Sequence, residues 1–209
     1  MSASPSAPVL DVWLEFASTY SYPAAMRVRA LADAAGVKLR FRPFLLGPIF
    51  KTQGWDNSPF NIYEAKGRYM WRDLERICAD LGLPFRKPDV FPQAGLTAAR
   101  VALVGLDEGW GEEFIRAVYR AQFAQGRLIS DPAVIRELLV AQRLEPRPIF
   151  DRSQSDAIKD RLREQTQDAQ RLGIFGAPSF VTSSGELFWG NDRLEQALRY
   201  ARDANRAAP

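Results

Sequence analysis

The chain has no histidine, one cysteine and no long apolar run, and each absence removes a class of chemistry. Without histidine there is no Ser-His-Asp triad, most zinc sites are gone, and no imidazole can shuttle protons. A lone cysteine, Cys78, can form neither an internal disulfide nor a dithiol redox cycle within one chain. It falls in register with Trp71, Leu74 and Leu81 on a helical apolar stripe and reads as a core residue rather than a nucleophile. No segment approaches an uncharged apolar run of about 18 residues, so no membrane span is expected. Residues 1–8 are rich in Ser, Ala and Pro, lack the basic and apolar regions of a signal peptide, and read as a disordered arm. A cytoplasmic location is the expectation. Any catalysis must run on hydroxyls, carboxylates, amines, backbone dipoles or a bound cofactor.

What is present is an ordinary globular composition. With 209 residues, 46% hydrophobic and 25% charged, the chain can build a core that needs no covalent staples. The net charge is +3, from 28 basic and 25 acidic residues that interleave rather than cluster, so no nucleic-acid partner is indicated. The densest basic stretch (Arg27, Arg29, Lys38, Arg40 and Arg42) reads as a solvated face.

Periodicity divides the chain into β-α-β, a helical block, and α-β-β-α. Residues 9–16 form an apolar, mostly buried strand. Val28, Leu31, Ala32 and Ala35 mark one face of a helix that Gly36 stops. Val37, Leu39 and Phe41 alternate with Lys38, Arg40 and Arg42 in a half-buried strand ending near Pro43. Residues 47–60 read as a long loop. Helices follow over 61–81, 95–106 and 112–125, and another opens at Asp131-Pro132, with Asp131 as cap. A charged helix over 155–172 precedes two short strands, 179–182 and 186–189, joined by Ser183-Ser184-Gly185. The last helix starts at Gly190-Asn191-Asp192-Arg193. A βαβ half and a ββα half around one sheet give an α/β, thioredoxin-like fold with a large all-helical insertion. The expected division is an arm at 1–8, a thioredoxin-like domain at 9–61 and 166–209, and an insertion at 62–165.

Ser18-Thr19-Tyr20-Ser21 stands between the first strand and first helix. A small hydroxyl residue at a helix N-terminus, where backbone N–H groups point outward, makes a site for an anion or thiolate. The redox version of this layout has cysteine at the first position of a C-x-x-C pair. Here both ends are serine, which excludes a disulfide oxidoreductase and leaves a place for a thiolate from another molecule. The same serine also suits a plain helix cap. If Ser18 caps the helix, Pro23 falls in the second turn; if Ser21 does, Pro23 falls near the first.

The chain resembles the family of 2-hydroxychromene-2-carboxylate isomerases and kappa-class glutathione transferases, a branch of the thioredoxin superfamily, over nearly its whole length. The carriers are Phe16, Ser18, Tyr20, Ser21 and Tyr22 in F-x-S-x-Y-S-Y, F-L-L-G-x-x-F-K at 44–51, and A-K-G-R-Y-M-W-R-D at 65–73. To these are added F-G-A-P-S-F-V at 175–181 and W-G-N-D-R-L at 189–194. The resemblance implies glutathione as thiol cofactor, with the Ser18 hydroxyl donating to its sulfur. It implies a cis bond before Pro178, with Ala177 and Pro178 holding the cysteinyl backbone, and Asn191 and Asp192 at the γ-glutamyl end. It further implies Lys51, Asn61, Ile62 and Phe91 as substrate contacts, a small aromatic carboxylate as substrate, and a homodimer. Tyr20, Trp55 and Phe91 fit an apolar wall equally well as core packing, while Asn191 and Asp192 fit ordinary helix caps. The implied reaction is cis–trans isomerisation of 2-hydroxychromene-2-carboxylate or a close analogue. The alternatives are a kappa-type transferase or peroxidase, and a non-catalytic peptide binder. Two departures stand out: Thr19 where relatives often have proline, and Ala94-Gly95 where many carry asparagine and serine.

Overall fold

A computed structural model describes residues 7–207. Most of the expected arm, residues 1–6, lies outside the described residues. Pro8 leads directly into the sheet, its carbonyl accepting from Lys38 N–H at 2.8 Å.

The sheet has the order β2-β1-β3-β4. Strand β1 (Val9–Leu14) pairs parallel with β2 (Lys38–Pro43) and antiparallel with β3 (Ser179–Thr182), which pairs antiparallel with β4 (Leu187–Trp189). Helix α1 (Ser21–Ala35) crosses between β1 and β2, and Gly36 ends it with φ 67° in the left-handed region. Alternation along β1 splits its side chains between two cores. Leu10, Val12 and Leu14 pack with α1 and with α10 (Leu194–Ala207), while Trp13 joins Phe44, Ile49 and Ala169 on the opposite face. The thioredoxin-like fold read from the sequence is what the chain adopts.

Between β2 and β3 lie the helices. They are α2 (Leu46–Thr52), α3 (Pro59–Ile62), α4 (Glu64–Asp80), α5 (Leu96–Glu108), α6 (Gly111–Phe123), α7 (Pro132–Ala141), α8 (Pro146–Ser153) and α9 (Asp156–Arg171). Asp131 caps α7 by accepting from Ala133 N–H at 2.8 Å, with Pro132 at the first helical position as expected. Cys78 is 1% exposed in the core and its thiol is pushed up to about 11 by burial, so it is no nucleophile.

Two readings need correction. Residues 47–60 are not one loop: they hold most of α2 and the first half of α3. Pro48 sits at the third position of α2 and Pro59 at the first of α3, where no intrahelical N–H bond is lost, so neither breaks a helix. The helix expected from Asn61 begins only at Glu64, because Asn61 and Ile62 close α3. The basic stretch does face solvent in part, as expected, and is ion-paired there: Arg40 with Asp11 and Arg29 with Glu112. We propose residues 62–165 as the insertion, with α9 continuous across its end and packed on both α5 and β2.

Candidate functional site

Strand β1 ends at Leu14, and a tight turn, closed by Ser18 N–H donating to the Glu15 carbonyl at 2.9 Å, delivers the chain to α1. Tyr119 from α6 donates its hydroxyl to that same carbonyl at 2.9 Å, pinning the turn from the helical side. Helix α1 starts at Ser21, with Tyr20 at the cap position and no side chain capping the first turn. Ser18 therefore caps nothing. Its hydroxyl donates across the fold to the Ala177 carbonyl at 2.7 Å. The Ala177-Pro178 peptide bond is cis, as expected, and so is Phe91-Pro92, which the sequence did not suggest. The Pro178 carbonyl accepts from Gly190 N–H at 2.9 Å, tying this loop to the 3-10 turn Asn191–Arg193.

Ser18 and Ala177 lie on the wall of a cavity of about 750 Å³. Phe50, Trp55 and Phe60, contributed by α2, α3 and the loop between them, line one side, with Tyr20 and Phe91 beside them. The Tyr20 ring lies 6.2 Å from Phe60, and its hydroxyl donates to Asp73 at 3.0 Å. Burial and that carboxylate push the Tyr20 phenol far above its usual range, so it stays neutral. At the lip, the tilted rings of Phe175 and Trp189 lie 4.9 Å apart and are nearly half exposed. Lys51 and Lys66 also line the cavity, and neither has a carboxylate partner among the described residues. An aromatic enclosure with ammonium groups suits a planar apolar ligand carrying negative charge.

Glu15 is buried in the floor of this cavity. Its carboxylate accepts from Ala17 N–H at 3.2 Å and Leu46 N–H at 3.0 Å, joining the Ser18 turn to the start of α2. A Cβ at Gly95 would lie 3.0 Å from Glu15 Oε1 and 2.9 Å from Phe16 Cβ, so glycine lets α5 start against this turn. Desolvation raises the Glu15 pKa, outweighing the backbone donors that oppose it. The sign follows by linkage. With its folded pKa raised, the acid contributes stability in full below its unfolded value of about 4.3. That contribution is lost as pH rises through the folded pKa. Glutamine cannot titrate. Comparing melting temperatures of Glu15→Gln and wild type from pH 4 to 8 should show the difference shifting in the variant's favour as pH rises; a constant difference would refute the raised pKa.

The structure brings Ser18, Ala177, Lys51 and Phe91 to one cavity. Asn61 and Ile62 are not on its wall. In α3 the one-turn helix directs Pro59 and Phe60 inward and leaves the next two residues exposed. Asn61 instead braces the wall, donating to Asn57 Oδ1 at 3.1 Å and the Phe91 carbonyl at 3.3 Å. Pro178, Asn191 and Asp192, expected at the cofactor, are not on the cavity wall either, although the Asp192 charge reaches the Tyr20 phenol. Neither Asn191 nor Asp192 caps the following helix through its side chain. Glu15 was not singled out from the sequence, and Lys66, Phe175 and Trp189 stood there only within motifs that carry the resemblance, with no site role. An acid directly after an apolar strand was the one available signal for Glu15.

The model of the DSBA-like thioredoxin domain family matches residues 9–201. A 2-hydroxychromene-2-carboxylate isomerase of Sphingobium xenophagum is 28% identical over 195 residues, covering 93% of this chain and 98% of the relative. Glutathione S-transferase kappa 1 of Caenorhabditis elegans is 27% identical, covering 91% of this chain and 89% of its own length. Among solved structures, a 2-hydroxychromene-2-carboxylate isomerase superimposes with a TM-score of 0.83 at 22% identity, over 96% of this chain and 100% of that one.

Proposed function

Because the chain belongs to the DSBA-like thioredoxin domain family, and isomerases and kappa glutathione transferases are among its relatives, we propose that it is a glutathione-dependent enzyme. The specific reading is cis–trans isomerisation of 2-hydroxychromene-2-carboxylate or a close aromatic analogue, giving trans-o-hydroxybenzylidenepyruvate. The observation that carries it is Ser18: a hydroxyl where a redox thiol would stand, beside the Ala177 carbonyl at 2.7 Å, on the wall of an aromatic cavity that also holds Lys51.

The residues present fit glutathione. Bound there, it would supply a thiolate that adds reversibly to the conjugated, ring-opened substrate, letting the former double bond turn before the thiol leaves. The protein's part is to make and place that anion. A free thiol titrates near ~8.5, and a hydroxyl donor with the α1 N-terminus moves it toward thiolate. The Ser18 proton now points at Ala177, and rotation about one bond redirects it to a sulfur. The Ala177 backbone would hold the cysteinyl residue in a short β-like pairing. Asp192 would take the γ-glutamyl ammonium, Lys51 the substrate carboxylate, and Phe91 with Trp55 the substrate ring. Asn61 acts in this reading by holding Phe91. A homodimer working in a reducing, cytoplasmic compartment is part of the same reading; no helix among the described residues is long and apolar enough to cross a membrane.

The test supplies glutathione at a small fraction of the substrate concentration and follows the trans product by absorbance. Complete conversion with the thiol recovered supports the isomerase. Stoichiometric thiol consumption favours the kappa-type reading, for which the Caenorhabditis relative speaks. Absence of glutathione binding by calorimetry sinks both. Asp192→Ala should weaken glutathione binding about tenfold and leave the rate at saturating glutathione nearly intact, as for loss of an interaction made equally in ground and transition states. Equal affinity in the two proteins would remove Asp192 from the site.

A further inference from the structure

Arg27 lies in the second turn of α1, and its guanidinium reaches across to the turn before α10. Its Nε donates to Asn191 Oδ1 at 3.1 Å and its NH2 group to the Asn191 carbonyl at 2.6 Å. The remaining arm pairs with Glu195 in the first turn of α10. One planar fork thus grips the side chain, the backbone and the following turn of a single short element.

Chemistry then fixes the amide's orientation. A guanidinium has donors only, so the face of Asn191 turned to Arg27 must be its oxygen. The amide nitrogen is forced to the other side. Asn191 is only 7% exposed, yet Nδ2 has no protein partner among the described residues and is not itself closed off from solvent. A donor whose amide is held by an arginine on one side and open to solvent on the other is placed for an acceptor that comes from outside.

We infer that Arg27 is a positioning residue for thiol-cofactor recognition: it sets Asn191 Nδ2 to donate to the carboxylate of a γ-glutamyl group. Asp192, the next residue, then faces the ammonium of that same group, so neighbouring side chains read the two charged ends of one amino-acid head. This rests on the glutathione reading of the site. Arg27 touches no ligand in it and acts through Asn191 alone.

The experiment measures glutathione affinity by calorimetry, melting temperature without ligand, and steady-state rates for wild type, Arg27→Met, Arg27→Lys and Asn191→Asp. Arg27→Met should raise the glutathione Kd and KM about tenfold while kcat at saturating glutathione stays near the wild-type value. Arg27→Lys, keeping one donor and the charge, should fall between. Asn191→Asp separates binding from folding: its carboxylate still pairs with Arg27, so the melting temperature is kept or raised, but the outward donor is gone and affinity falls at least tenfold. Wild-type affinity in Arg27→Met or in Asn191→Asp would overturn the inference and leave the glutathione reading standing. Equal losses of kcat and of affinity in Arg27→Met would also overturn it, because a generally loosened fold gives that pattern. A wild-type protein that binds no glutathione ends both.

Discussion

Replacing Ser18 with alanine should lower turnover about 10²–10³-fold, the range seen when one preorganised donor to a developing or resident anion is removed. The fold should survive. The substitution frees the Ala177 carbonyl, which Ser18 now satisfies at 2.7 Å, and one lost hydrogen bond at a part-buried site costs about 1 kcal/mol. For a domain of this size that is a fall of roughly 2–4 °C in melting temperature, far too little to empty the native state. Rate and stability therefore part company, and a melting curve beside the assay shows it. Ser18→Cys should instead form a mixed disulfide with oxidised glutathione, visible as a mass increase reversed by reductant. Turnover unchanged in Ser18→Ala would reduce Ser18 to a latch on the Ala177 loop.

Gly67→Ala should be the most damaging of the small substitutions. Alanine is ordinarily the better helix residue by about 1 kcal/mol. At this position in α4, however, a Cβ would sit inside the Phe60 carbonyl oxygen, which is backbone and cannot swing aside. Helix α3 must move off α4, at a cost typical of overpacking, ~1–3 kcal/mol, so steric conflict outweighs propensity. Because α3 carries Pro59 and Phe60, the displacement opens one wall of the cavity and leaves Ser18 and Ala177 in place. The expected result is a lowered melting temperature, a raised KM for the aromatic substrate, and an unaltered glutathione Kd. A melting temperature at or above wild type would show that α3 yields without cost.

How much of this was readable depends on whether the signal was local. The β1-α1-β2 unit shows in short-range periodicity, and Ser18 at its turn was visible for the same reason. Helices α2 and α3 were not, since Gly47, Pro48, Asn57, Ser58 and Pro59 are all breakers by type. Their effect turns on where in a helix they fall, and Ser58 with Pro59 starts α3 instead of preventing it. Glu15 looks like any acid at a strand end until Leu46 N–H is found 31 residues away. Arg27 belonged to a basic stretch that alternation assigns to solvent. Its partner Asn191 is 164 residues distant, beyond any window of periodicity, so its role exists only in the folded chain.

The hydrogen bond from Ser18 to Ala177 spans 159 residues, and β1 takes its second neighbour from the far side of the same interval. Translation makes the two partners at opposite ends of the process. The edge of β1 that faces β3 cannot be paired until residues 179–182 have been made, and until then its N–H and C=O groups lack their sheet partners. Only after β3 leaves the ribosome is the sheet closed and the hydroxyl given its carbonyl. In the glutathione reading proposed above, a chain still short of Ala177 and Pro178 has no backbone with which to hold the cysteinyl residue.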